Sequence, residues 1–193
     1  MASETGIINS ALRKVGAARI TTRTDGSRNA NIANDLYDVV LESLLRSHNW
    51  NWAKTEAQLA RSTTEPILKS GFKYIYVKPA DWIRTIAAFD NDAAVGRVTY
   101  QLKASGFYTD AEEFYIDYVR LETDPNQMTA DFREAFAQEL AMEMSTPIKA
   151  GKAIRDRLEK RGGEDLVTAK GSDAIEDDPE QMPEGSWVDD RQM

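Results

Sequence analysis

LLRSHNWNWAKTEAQLA (Leu44–Ala60) and, after a polar turn, FKYIYVKPADWIRTIAAFD (Phe72–Asp90) contain the change of pattern that decides the fold. Upstream, Ile32, Ala33, Leu36, Tyr37, Val40, Leu41, Leu44 and Leu45 recur at three and four residues. Asp35, Asp38 and Glu42 take the other side, so the spacing predicts an amphipathic helix over residues 28–47. Downstream the period drops toward two. Tyr74 to Val77 and then Ile83 to Phe89 predict strands on either side of Pro79-Ala80-Asp81. Three of the four tryptophans, Trp50, Trp52 and Trp82, lie in this stretch beside Arg46 and Arg84. Large aromatics next to arginines are the material of a packed core or a protein–protein interface. These three are expected in the core where helix meets sheet.

Outward from this point the pattern stays legible. Val98, Tyr100 and Leu102 alternate, as do Phe114, Ile116 and Tyr118, with Gly106 and Thr109-Asp110 as punctuation. A small antiparallel β-region is therefore expected over about residues 72–121. On the N-terminal side, Ile8, Ala11, Leu12 and Val15 predict a helix over 5–15 stopped by Gly16, followed by a Thr-, Asp-, Gly- and Ser-rich loop. On the C-terminal side, Met128, Phe132, Phe136 and Leu140, spaced by four, predict a helix over 129–145. Thr146-Pro147 reads as an N-cap with proline in the first turn of another helix over 147–161, ended or weakened by Gly162-Gly163. The fold class expected is α+β: a helical bundle with a small antiparallel β-region inserted between helices and a flexible acidic C-terminal tail. Residues 1–170 form one domain, and 171–193 an acidic extension without periodicity.

Composition removes many functions. The chain has 193 residues, no cysteine and one histidine, so disulfides, thiolate metal sites and histidine-rich metal sites are excluded. His48, at the end of the long helix, reads as a cation at a helix C-terminus or a hydrogen-bonded packing residue. No apolar run reaches the length of a membrane helix, and the N-terminus lacks the basic start and apolar run of a secretory signal. Charge is uneven. From Asp173 onward eight carboxylates face Arg191, giving −7 of the formal −8 and leaving −1 for residues 1–172. Duplex DNA finds no broad basic face, so sequence-directed DNA binding is not expected.

Catalytic and cofactor signals are weak. Asp110, Glu112 and Glu113 cluster before a strand and are the carboxylates to consider for hydrolysis of a glycosidic bond. Acidic residues in such a turn are ordinarily just solvated. No glycine pattern cradles phosphate, and Asp177-Asp178 sit in no calcium-loop spacing, so no cofactor and no metal are expected. Trp187 stands in EGSWVDD within the acidic tail, where it has no core to join. It reads either as an incidental surface residue or as an anchor that docks when the tail folds onto a partner.

In order along the chain, these residues resemble a family. Ala11–Ile20 with Asp25-Gly26-Ser27, then Arg46, Trp50 and Trp52, then Tyr76, Pro79, Asp81, Trp82 and Arg84 carry the resemblance. Thr123-Asp124-Pro125, Met128, Phe132, Ala135, Leu140-Ala141 and Thr146-Pro147-Ile148 extend it to about residue 160. The chain is similar to the head-to-tail adaptors of tailed phages, the tail-tubular-protein-A group of short-tailed viruses. His48-Asn49 before Trp50 departs from the His-Pro or Asn-Pro found there. The resemblance implies a non-enzymatic virion protein that forms a dodecameric ring with copies of itself. Such a ring joins the portal protein to a downstream tail or nozzle protein, continues the channel for double-stranded DNA without reading its sequence, and touches no membrane. By analogy the tail would engage the portal, with Trp187 and Val188 as apolar anchors flanked by Asp189 and Asp190. The alternatives are a virion-associated cell-wall hydrolase or an unrelated soluble interaction module.

Overall fold

A computed structural model describes residues 1–66, 71–90 and 98–176. It is a mixed α+β structure with four helices and two three-stranded antiparallel sheets among the described residues. The first helix, α1 (Glu4–Val15), starts at the Ser3 side chain, which accepts from the Gly6 N–H, and stops at Gly16 in the left-handed region, φ 77°. The second, α2 (Arg28–Ser47), begins where Ser27 caps the Ala30 N–H and has the bounds its periodicity predicts. A third, α3 (Ala130–Ser145), is capped by Thr129 and packs against all the other helices. Phe132, Phe136, Leu140 and Met144 make it the centre of the helical core.

The fourth helix departs from expectation. Thr146-Pro147 does not open it; Ile148, Lys149 and Ala150 donate back to the carbonyls of Met144, Thr146 and Ser145, and Lys149 takes φ 60°. This turn reverses the chain, and α4 runs from Lys152 to Ile175 with Gly151 at its N-cap. It passes through Gly162-Gly163, and its last turns hold residues 171–175, which the sequence places in the extension. Burial explains the difference: Leu158, Gly162, Ala169 and Asp173 form one stripe against the body, and tertiary contact overrides weak helix propensity.

The strands are β1 (Lys54–Gln58), β2 (Tyr74–Tyr76), β3 (Trp82–Phe89), β4 (Tyr100–Lys103), β5 (Gly106–Thr109) and β6 (Tyr115–Arg120). One sheet has the order β1-β6-β3 and the other β2-β5-β4. The two runs flanking Pro79-Ala80-Asp81 thus enter different sheets instead of pairing, and β1 lies before the range expected for strands. Both sheet edges are stitched together. Ser62 and Val77 exchange backbone bonds with Ile75 and Ala60 around an Arg61–Tyr76 bridge, and the Val98 N–H donates to Ala88. Unpaired edge groups are thereby consumed. Between the sheets lies a second core of Tyr76, Phe107, Phe114, Ile116 and Tyr118.

The β1-β6-β3 sheet serves two cores because its strands alternate. Ile116 and Tyr118 face the second sheet, while Val119 faces the helices. Register shifts between Trp82 and Arg84 and between Thr85 and Ala87 leave Ile83 and Ile86 as extra residues of β3. Both pack against the helical core, so the irregularities supply apolar contact to the helices. At Gly106, φ 137°, a Cβ would collide with the Tyr76 backbone oxygen; only glycine lets β5 approach β2 here.

Candidate functional site

The tryptophan segment turns the chain from α2 into β1 through a single 3-10 turn, Asn51–Ala53. Helix ends leave carbonyls without partners. Trp50 folds back so that its indole N–H donates to the Leu44 carbonyl at 2.8 Å, which also buries the ring completely. Trp50 and Trp52 both set their rings edge-on to Phe132 of α3, at 4.8 and 4.7 Å between centroids. Nearby, the Arg84 guanidinium of β3 donates to the Asn49 side chain, tying the sheet to the same turn. Residues 49–52, α3 and β3 are therefore fastened at one place.

The last turn of α4 joins them. Asp173 is 3% exposed, and its carboxylate accepts from the Asn51 N–H at 2.9 Å and lies 3.1 Å from His48 Nε2. The Asn51 side-chain amide donates to the Asp173 carbonyl at 2.7 Å, and Lys170 Nζ donates to the Ser47 carbonyl. His48 is thus a hydrogen-bonded packing residue at the C-cap of α2. Sequence reasoning assigned Asp173 to the acidic extension. The stripe Leu158, Gly162, Leu166, Ala169, Asp173, at intervals of three and four, is the signal that places it on a buried helix face.

The remaining signature residues are distributed on both sides of the first sheet. Trp82 does not share a core with Trp50 and Trp52. It packs in the inter-sheet core, edge-on to Phe107, with its indole N–H on the Thr85 hydroxyl. Tyr76 is buried and its hydroxyl donates toward the carbonyls of Ala111 and Glu112. Asp81 accepts from the Tyr118 hydroxyl, its backbone carbonyl accepts from the Leu121 N–H, and Pro79 is half-buried in the same turn. Arg46 is exposed on α2. Trp187, Val188, Asp189 and Asp190 lie outside the described residues.

Carboxylates meet at a place the sequence did not single out. Glu56 and Asp117 are direct partners across β1 and β6, a like-charge juxtaposition that costs stability. They line an open groove of about 600 Å³ with Gln58, Phe89, Asp90 and Tyr115. Burial, and then the charge of Glu56, push the Asp117 carboxyl above its ordinary value. The expected trio is arranged for structure: Asp110 accepts from the Lys73 N–H, Glu113 accepts from the Tyr115 hydroxyl, and the Glu112 carbonyl receives Tyr76. Among the described residues no group of three or more carboxylate or histidine ligands could hold a metal ion, and no helix is long and apolar enough to cross a membrane. Neither the known protein families nor the curated proteins compared with this chain include a match to it.

Proposed function

We propose that this chain is a structural adaptor of a virion, a helical bundle carrying a β-region between α2 and α3, which assembles as a dodecameric ring between portal and tail. The observation that carries the reading is how the resemblance residues are used. Trp50 and Trp52 fasten the helices to the first sheet, with Arg84 reaching the same turn. Tyr76, Asp81 and Trp82 fasten the first sheet to the second. Such residues make a rigid body that transmits load between two ends, which is what a connector requires. Val39, Val167 and Ile175, 67%, 70% and 84% exposed, stand on charged helix faces and offer apolar contact to neighbours.

In this reading residues 177–193, with Trp187 and Val188, reach the portal from a start fixed by the Asp173 clasp. Many weak tail contacts then act together through the ring. Light scattering after size exclusion tests it, with the chain alone at 21.7 kDa and then mixed with the portal protein of the same virus. A stoichiometric ring of copies added to the portal supports the adaptor; a chain that ignores the portal refutes it. The tail is tested by removing residues 177–193, because a cut at 173 would also destroy the clasp. Full-strength assembly of that truncation would refute the portal role of the tail.

A second reading rests on Glu56 and Asp117. Two facing carboxylates, one with a raised pKa, in a groove with Tyr115 and Phe89 are the minimum for glycosidic hydrolysis. Release of soluble fragments from peptidoglycan by the wild type but not by Asp117→Asn would establish it.

A further inference from the structure

Along α3, between α2 and α4, run two adjoining hollows of about 250 and 570 Å³ that share Leu36 and Glu143. Apolar Leu36 and Met142 are half-buried there, and Val39 stands exposed on the rim. Glu139 and Glu143 lie one helical turn apart in the groove, a like-charge spacing that destabilises a helix. Neither carboxylate has a hydrogen bond or ion pair among the described residues. Burial, and then Glu143, push the Glu139 carboxyl up. Arg155 and Glu159 line the same groove, so its charged lining is three carboxylates and one guanidinium, a net acidic surface that favours further cations.

The opposite flank of α4 supplies them. Residues 152–161 contain five cations against Asp156 and Glu159. Arg157 lies against α1, where its guanidinium donates to the Lys14 carbonyl, and Arg161 is exposed one turn further on. Two arginines a turn apart thus match two glutamates a turn apart, and guanidinium–carboxylate pairs of this kind are strong and directional. Because groove and ridge are different surfaces, joining them is head-to-tail, and such contacts generate rings when the rotation closes.

We infer that the α2–α3–α4 groove of one copy receives the α1–α4 ridge of a second copy, with Glu139 and Glu143 pairing with Arg157 and Arg161. The choice of a second copy as occupant rests on the ring reading above. The absence of cysteine makes the test clean. Val39→Cys and Glu164→Cys, the latter exposed on the ridge face of α4 beside the arginines, are placed singly and together, and the full-length chain is treated with a short bis-maleimide at high concentration. The double variant should give a ladder of dimers, trimers and higher forms, while each single variant stays monomeric because like positions do not meet. No ladder, or dimers as abundant from a single variant, overturns the inference.

Charge reversal adds a second arm. Glu139→Lys with Glu143→Lys, and Arg157→Glu with Arg161→Glu, should each weaken self-association by more than about tenfold. Mixing the two should restore it, since each repaired contact pairs one variant with the other. Circular dichroism melts confirm that both fold. Unchanged association in both reversed proteins overturns the interface. If copies still ring the portal without giving a ladder, the surfaces are wrong and the adaptor stands. If wild type neither self-associates nor joins the portal, the adaptor reading itself fails.

Discussion

Replacing Asp173 by alanine should release the last three turns of α4 while leaving the rest of the fold in place. The wild-type carboxylate serves the Asn51 N–H and His48 Nε2 from a site that is 3% exposed. A hydrogen bond to a charged acceptor contributes about 1.5–3 kcal/mol, and a buried donor left without one costs about 1–3. Relief from burying a carboxylate offsets part of this, so about 3 kcal/mol is expected. Besides the partly exposed bonds from Lys170 to the Ser47 carbonyl and from the Asn51 amide to the Asp173 carbonyl, the segment has little to hold it. Gly162, Gly163 and Gly171 each lower helix propensity by about 1 kcal/mol relative to alanine, and only Leu166 and Ala169 add apolar contact. Loss of the clasp therefore brings local opening close to zero free energy. Hydrogen exchange read by mass spectrometry should show amides of residues 165–175 losing about a hundredfold in protection, with those of α3 little changed. Asp173→Asn, which keeps the shape and one acceptor oxygen, should fall between. Wild-type protection across 165–175 in the alanine variant would refute the view that this clasp holds the helix.

Gly163→Ala and Gly171→Ala meet nothing within 4 Å and should each stabilise α4 by about 0.5–1 kcal/mol, restoring exchange protection lost in the Asp173 variant. Tyr37→Phe should be neutral or stabilise by up to about 1 kcal/mol in urea unfolding, because the buried hydroxyl has no hydrogen-bond partner among the described residues. A loss larger than that would mean the hydroxyl is satisfied. Asp117→Asn should gain about 0.5 kcal/mol at pH 7, a figure kept small because the side chain is partly exposed. The sign follows from a folded-state pKa raised above the unfolded value. The penalty on the ionised form is complete above the folded pKa and vanishes below the unfolded one, so the advantage should be gone by about pH 3.5.

How much of this was legible in the sequence depends on whether local pattern and tertiary contact agree. They agree in α2, where an unbroken apolar stripe and the Ser27 cap fix both ends, and in β6, where Ile116 and Tyr118 alternate with polar residues. They disagree in β1: Lys54–Gln58 is a polar edge strand with only Thr55 to suggest extended structure, and its pairing with β6 creates it. They disagree again at Gly162-Gly163, where the lack of side chains reads as a stop. There the helix continues because Gly162 lies on the buried face of α4, close against Glu139 and Met142 of α3, so tertiary contact outweighs propensity. Trp82 was misplaced by adjacency in sequence. Opposite faces of one sheet belong to different cores, and the run through Pro79 crosses from one to the other. The Glu56–Asp117 pair was invisible because register, not spacing, brings it together.

A buried carboxylate is an unusual choice for the end of a helix that is otherwise weakly held, and its value lies in register. The face that α4 presents to α3 consists largely of small residues, with Leu158 as its one fully buried large side chain. Small residues allow close approach but discriminate poorly between one turn and the next. Sliding α4 by a turn would bring Ala169 to the position of Asp173, leaving His48 and Asn51 without their acceptor and stranding the carboxylate. The polar contact thus penalises every register but one, the role for which buried polar groups are best attested. The same slide would move Arg155 and Glu159 along the groove and Arg157 and Arg161 along the ridge by about 5.4 Å. In the proposed ring both charged surfaces meet their partners only in this register, which the clasp favours over its alternatives. The clasp at one end of α4 and the proposed recognition surfaces at the other are two consequences of a single helix register.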